Sequence, residues 1–288
     1  MASTIRTDDP QRCAIGLIGL ADDLGVRLNN GRAGARDGPR AFREALARYG
    51  IADPNGWDWP AVYDAGDVIP AQGSDEAALR ETHGRVTEAV GALLDAGLFP
   101  VGIGGGHDLT FPFARAVAAR TENPGMVYAD PHLDVRETAG SGMAFRALVE
   151  HAGVRRLRVH GHDPFVNSRE HTNWFRDHGG TIADHDVFDP RPELEPAPGD
   201  FGVSLDLDVI DAAFAPGVSA MNPRGWAPDR ACAFARAAGR DGRCRAFDIM
   251  EFCPAHDENG RTARLAARLF LEFLRGFAER ASPTKGRT

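Results

Sequence analysis

The stretch VYADPHLDVRE, residues 127–137, begins as a buried strand and ends in chemistry. Val127, Tyr128 and Ala129 belong in a core, and Asp130, His132 and Asp134 then follow at a two-residue spacing, which places all three on one side of an extended chain. Carboxylates aimed at one point repel each other unless a cation or a proton lies between them. The stretch therefore predicts a strand whose carboxyl end faces a positive charge.

Other short apolar runs share this character. AIGLIGL (14–20), FPVGIGG (99–105), GMVYAD (125–130), RLRVHGH (156–162), FGVSLDLDVI (201–210) and CRAFDIMEF (244–252) read as strands. Between them lie segments of helical period, such as the one whose stripe is Leu79, Val86, Val90, Leu93 and Leu94. Further helices are predicted over 109–120, 145–152, 167–178, 227–239 and 262–280. Strands alternating with helices predict an α/β fold with a mostly parallel central sheet covered on both faces. No internal repeat or long linker divides the chain, and the Pro/Gly-rich segments 52–60 and 191–200 read as surface loops. A single domain over 1–288 is expected, with flexible ends at 1–12 and 282–288.

Composition narrows the function. The chain has 288 residues, 43% of them hydrophobic, enough for a sizeable core. Acidic residues outnumber basic ones 41 to 33, which argues against a nucleic-acid partner. The first residues, MASTIRTDDPQRC, carry charges where a signal peptide needs an apolar centre, and no run approaches the roughly 18 apolar residues of a membrane span. A cytoplasmic protein with no membrane partner is expected. Cys13, Cys232, Cys244 and Cys253 lack CxxC spacing and read as reduced thiols.

The chemically useful residues gather at strand ends: GGGHD (104–108), DPHLD (130–134), SLDLD (204–208) and DIMEF (248–252). In open α/β sheets that edge is the ligand crevice, so four separate segments converge on one place. His107, Asp130, His132, Asp134, Asp206 and Asp208 supply two imidazoles and four carboxylates, a set suited to a divalent ion such as Mn²⁺. Four carboxylates balance two such ions. A pair of cations about 3.5 Å apart can share a water and lower its pKa enough to present hydroxide at neutral pH. Taken singly, DxHxD or DxD is a weak signal; together and in order they are strong.

These motifs resemble those of the ureohydrolase family of arginases, agmatinases and formimidoylglutamases, which carries GGxH, DAHxD, SxDxD and DxxE at successive strand ends. The counterparts here are Gly104 to His107, Asp130 to Asp134, Ser204 to Asp208, and Asp248 to Glu251. The resemblance implies a three-layer α/β/α fold, two Mn²⁺ ions and hydrolysis of a C–N bond in an amidine or guanidinium. It also implies that His107, Asp130, Asp134 and Asp206 hold one ion and Asp130, His132, Asp206 and Asp208 the other. Asp134 would orient the nucleophile, and Glu251 would accept hydrogen bonds from the cationic amidine. A homo-oligomer, trimer or hexamer, is implied as well.

Three local features bear on the branch. The segment 25–46 resembles the NxGRxGAxxGP loop of formimidoylglutamases, and APGVSA (215–220) resembles that branch more than the PGTGTP of agmatinases and arginases. Ser141, opening SGMAF, stands where agmatinases place a histidine. Arg136 offers a bidentate partner for a substrate carboxylate, with an ion pair to Glu137 as its alternative. Arg32 or Arg36 would take a second carboxylate. The small-molecule substrate expected is N-formimidoyl-L-glutamate. The alternatives are a guanidino-acid amidinohydrolase such as an agmatinase, or an inactive member with a binding role. Pro131, in place of the usual alanine, removes a backbone donor and restricts Asp130.

Overall fold

A computed structural model describes residues 5–6, 9–50, 59–183 and 199–280. Among them, nine strands form one sheet: β1 (Ile5–Arg6), β2 (Ile15–Leu20), β3 (Val62–Val68), β4 (Phe99–Gly104), β5 (Gly125–Ala129), β6 (Arg156–His160), β7 (Gly180–Ile182), β8 (Phe201–Asp206) and β9 (Cys244–Met250). Their order is β1-β3-β2-β4-β9-β8-β5-β6-β7, and every pairing is parallel. The helices are α1 (Leu24–Leu28), α2 (Gly38–Leu46), α3 (Glu76–Asp95), α4 (Thr110–Ala118), α5 (Ala144–Ala152), α6 (Arg169–Asp177), α7 (Pro228–Arg240) and α8 (Arg261–Arg280).

β2, β4 and β5 read as unbroken apolar runs because both faces are covered. In β2, Ile15 and Leu17 enter a core shared with Phe42 of α2, Phe234 of α7 and Phe270 of α8. Ile18 and Leu20 turn the other way, onto Val86 and Val90 of α3 and Phe113 of α4. β5 divides likewise: Val127 and Ala129 join the first core, while Met126 and Tyr128 pack with Phe145 of α5 and Phe175 of α6. This is the expected three-layer α/β/α arrangement. Each buried phenylalanine contributes roughly 1.5–3 kcal/mol of transfer free energy.

Helix starts follow local chemistry. Asp75 caps α3 by accepting the Ala78 N–H at 3.0 Å, and Ser168 caps α6 by accepting the His171 N–H at 3.0 Å. Strands β1, β3 and β7 lack a sequence signal because β3 reads VYDAGDV, with acids at 64 and 67, and the other two span only two and three residues. At the amino end, where flexibility is expected, Ile5–Arg6 pairs with β3 and Pro10–Arg12 forms a 3-10 turn. The loop expected at 52–60 falls largely outside the described residues, as does most of that at 191–200 and the whole tail 282–288.

The sheet order decides where chemistry happens. β4, β9, β8 and β5 are neighbours in that sequence at the centre of the sheet. Their carboxyl ends lead directly to His107, Glu251, Asp206 and Asp130.

Candidate metal centre

The strands that lead to the site, β4, β5, β8 and β9, each stop earlier than the sequence predicts, and the early stops shape the site. β5 ends at Ala129, so Asp130, His132 and Asp134 are not carried by an alternating strand. The Asp130 carboxylate accepts the His132 N–H at 2.7 Å, which turns the chain, and Asp134 adopts φ 48°, in the left-handed region. Two-residue alternation is therefore the wrong reason for the convergence; a tight turn produces it. Similarly, β8 ends at Asp206, whose carboxylate accepts the Asp208 N–H at 2.7 Å and starts a 3-10 turn over Leu207–Val209, where an extended chain to 210 is expected.

Four side chains meet at one point. His107 Nδ1 lies 3.0 Å from Asp130 Oδ2, 3.0 Å from Asp134 Oδ2 and 2.9 Å from Asp206 Oδ2. All four ligand atoms fall within 4.8 Å of one another. A single ring nitrogen cannot satisfy three carboxylate oxygens, and Asp130 Oδ2 and His107 Nδ1 have no hydrogen-bond partner of good geometry. One nitrogen and three oxygens around a common centre fit a divalent cation.

His132 and Asp208 stand beside this cluster rather than in it. His132 Nδ1 lies 3.1 Å from Oδ1 of Asp130, the carboxylate oxygen not facing His107. Asp130 thus lies between the two imidazoles, the position a bridging carboxylate needs. Asp208 is buried and accepts the Ala220 N–H at 3.4 Å.

The electrostatics show how strongly the site calls for positive charge. Burial, reinforced by Asp130, pushes Asp206 up to about 6. Burial, with Asp206 and Glu251 beside it, raises Asp208 well above the carboxylate range. Asp134 is raised by burial and by Asp130. Asp130 goes the other way: burial raises it, and the proximity of the His107 and His132 imidazoles outweighs that. Burial opposes charge on His132, yet Asp130 raises that imidazole to about 9.

The ring of His107 is oriented from behind. Ser204 donates to Asp248, whose other oxygen accepts from Thr110 at 3.1 Å. The Ser204 hydroxyl, its proton committed, accepts from His107 Nε2 at 3.0 Å. That leaves the proton on Nε2 and the Nδ1 lone pair aimed at the carboxylates, the tautomer a metal ligand requires. Burial moves Asp248 up to about 7.

Glu251 is buried and held at φ 63°. Its Oε1 accepts the His107 N–H at 2.8 Å, while Oε2 is buried without a partner. Burial and Asp206 raise its pKa well above normal.

The loop beyond Asp134 is tied to the site at both ends. Phe145 donates its N–H to the Asp134 carbonyl at 3.1 Å, and Arg136 donates its N–H to Gly142 O at 2.8 Å. Glu137 pairs with Arg146 at 2.7 Å, so the alternative ion pair with Arg136 is not formed. Arg136 is exposed and Ser141 half-buried. Arg32 does not stay available: its guanidinium donates to the carbonyls of Val218 and Ser219. Both branch-specific stretches, 25–46 and 215–220, are thereby bonded to each other. Arg36 is exposed.

Sequence reasoning missed Asn167. Its amide donates to Pro131 O at 2.7 Å and accepts the Leu133 N–H at 2.9 Å, clamping the loop that carries Asp130 to Asp134. Asp130 keeps its own N–H bond to His160 O at 2.9 Å despite the following proline. The motif following β6 gave no sign of this role, because the clamp acts across chain segments.

Residues 13–275 match the family model described as the arginase family. The chain belongs to the arginase family. Among curated relatives, the formimidoylglutamase of Aromatoleum aromaticum is 35% identical over 292 residues, covering 92% of this chain and 83% of the relative. That of Halobacterium salinarum is 35% identical over 260 residues, covering 85% and 83%. The crystal structure of Trypanosoma cruzi formiminoglutamase with two Mn²⁺ superposes with a TM-score of 0.89 at 30% identity, covering 97% of this chain and 98% of that one. Proclavaminate amidino hydrolase from Streptomyces clavuligerus gives 0.80 at 28% identity, with 95% of each chain covered.

Proposed function

We propose that this arginase-family chain is a two-Mn²⁺ hydrolase that converts N-formimidoyl-L-glutamate and water to L-glutamate and formamide. The observation that carries the reading is the convergence of His107, Asp130, Asp134 and Asp206, in a chain 35% identical to formimidoylglutamases over nearly its whole length. His107, Asp130, Asp134 and Asp206 would hold one ion, and Asp130, His132, Asp206 and Asp208 the other. Bound there, the pair supplies Lewis-acid polarisation and a water acidic enough to deprotonate near neutral pH.

The protein's own groups position the substrate. Asp134, beside His107 in the cluster, would accept a hydrogen bond from the attacking water and orient it toward the substrate carbon. Glu251 Oε2 accepts an N–H of the cationic formimidoyl group, while the His107 N–H holds Oε1 in place. A cation beside this buried carboxyl lowers its raised pKa and favours the ionised form. Arg136 and Ser141 donate to a substrate carboxylate.

Beyond the chemistry, the reading extends to a single-domain, cytoplasmic homo-oligomer, a trimer or hexamer. No helix among the described residues is long and apolar enough to cross a membrane. The test is a substrate panel on Mn²⁺-loaded protein: N-formimidoyl-L-glutamate, agmatine, arginine and 4-guanidinobutyrate, followed by product release. Turnover of the first alone is expected. Urea from a guanidino compound instead would overturn the substrate and keep the class.

A further inference from the structure

Asn29 opens the NxGRxGAxxGP pattern, and none of the steps above uses it. It closes α1, donating its backbone N–H to Gly25 O at 3.1 Å, so its position is set by that helix. Its side chain reaches a loop more than a hundred residues away, where the two ends of the amide do different things. Oδ1 accepts from Arg136 Nη1 at 2.8 Å, and Nδ2 donates to Ser141 Oγ at 3.2 Å. The fit is close: a Cβ at Gly140, where φ is 153°, would lie 3.2 Å from Oδ1. Gly142 makes room for the arginine, since a Cβ there would lie 2.9 Å from Arg136 Cδ.

The chemistry of those two bonds has a direction. A serine hydroxyl that accepts from an amide keeps its own proton for another acceptor. A guanidinium that gives up one N–H keeps four, still in a planar fork. What remains on both side chains is donors, side by side, which is the complement of a carboxylate.

We propose that Asn29 is the positioning residue for the carboxylate end of the substrate, its amide fixing Arg136 and Ser141 as one carboxylate-binding pair. The inference rests on the reading of those two residues as substrate contacts. Only an amide serves. Aspartate at this position would accept from Arg136 but neutralise it, and could not donate to Ser141.

The test is calorimetric binding of L-glutamate to the Mn²⁺-loaded full chain, with steady-state hydrolysis of N-formimidoyl-L-glutamate, for wild type, Asn29→Asp, Arg136→Ala and the double variant. Asn29→Asp should weaken L-glutamate and raise KM by about 10- to 100-fold while kcat moves less than about threefold. Added to Arg136→Ala, it should cost less than about threefold more, because the pair acts as a unit. Should Asn29→Asp melt well below wild type, the same readings on Asn29→Ser decide. Unchanged L-glutamate affinity, a loss confined to kcat, or full additivity would overturn the inference, and so would a wild type that does not bind L-glutamate. A wild type that binds L-glutamate through Asn29 yet leaves N-formimidoyl-L-glutamate intact would refute the hydrolytic reading and leave this inference standing.

Discussion

The loops 130–134 and 134–142 share Asp134, yet they are held by different means. The first is packed from below and clamped from the side: Asp130 and Leu133 are fully buried, and Asn167 bonds the backbone at Pro131 and Leu133. The second reaches the surface at Arg136 to Thr138, which are exposed, and Asn29 holds its side chains rather than its backbone. A metal set demands ligand atoms fixed to a few tenths of an ångström, so the chain commits its backbone there. A carboxylate grip of the kind proposed for Arg136 and Ser141 tolerates more movement, and there two side chains and one splint would suffice. On the proposed reading, the first loop holds the metal and the second selects the substrate.

This contrast can be broken from either side. Asp206→Ala removes a carboxylate that faces His107 and caps the Asp208 turn, and should lower kcat by about a thousandfold with loss of bound manganese, read by metal analysis beside kinetics. Glu251→Gln keeps an acceptor for the His107 N–H but offers the amidine no charge, and should reduce kcat/KM by about a hundredfold with manganese content unchanged. Arg136→Ala should raise KM by about 30-fold with kcat nearly preserved, placing it on the selecting side. Asn167→Ala should weaken manganese binding by about tenfold and leave KM of the metal-saturated enzyme alone, which a titration would show. If Asn167→Ala raised KM as Arg136→Ala does, the division between the loops would be lost.

Much of this was legible in the sequence, for a physical reason. β4, β5 and β8 are buried on both faces, as is β9 from Ala246 onward, so they read as largely apolar runs, and their ends carry the residues that break the pattern. His107, Asp130, Asp134 and Asp206 could be found without knowing the path of the chain. The reason they converge could not, because period-2 spacing at 130, 132 and 134 matches a strand that stops at Ala129. Only the left-handed turn at Asp134 and the Asp130 turn to His132 explain it. Asn29 and Asn167 left no trace because an asparagine in a loop has many uses, and theirs depend on partners distant in sequence. β3, second from the edge of the sheet, escaped because its acids at 64 and 67 bond Arg43 of α2, giving it a polar face.

The most direct measurement is manganese stoichiometry together with the manganese dependence of glutamate release from N-formimidoyl-L-glutamate. Two ions per chain are expected, with turnover abolished by chelation and restored on adding Mn²⁺. Turnover that survives complete metal removal, or a chain that binds no manganese, would contradict the site described for His107, Asp130, His132, Asp134, Asp206 and Asp208.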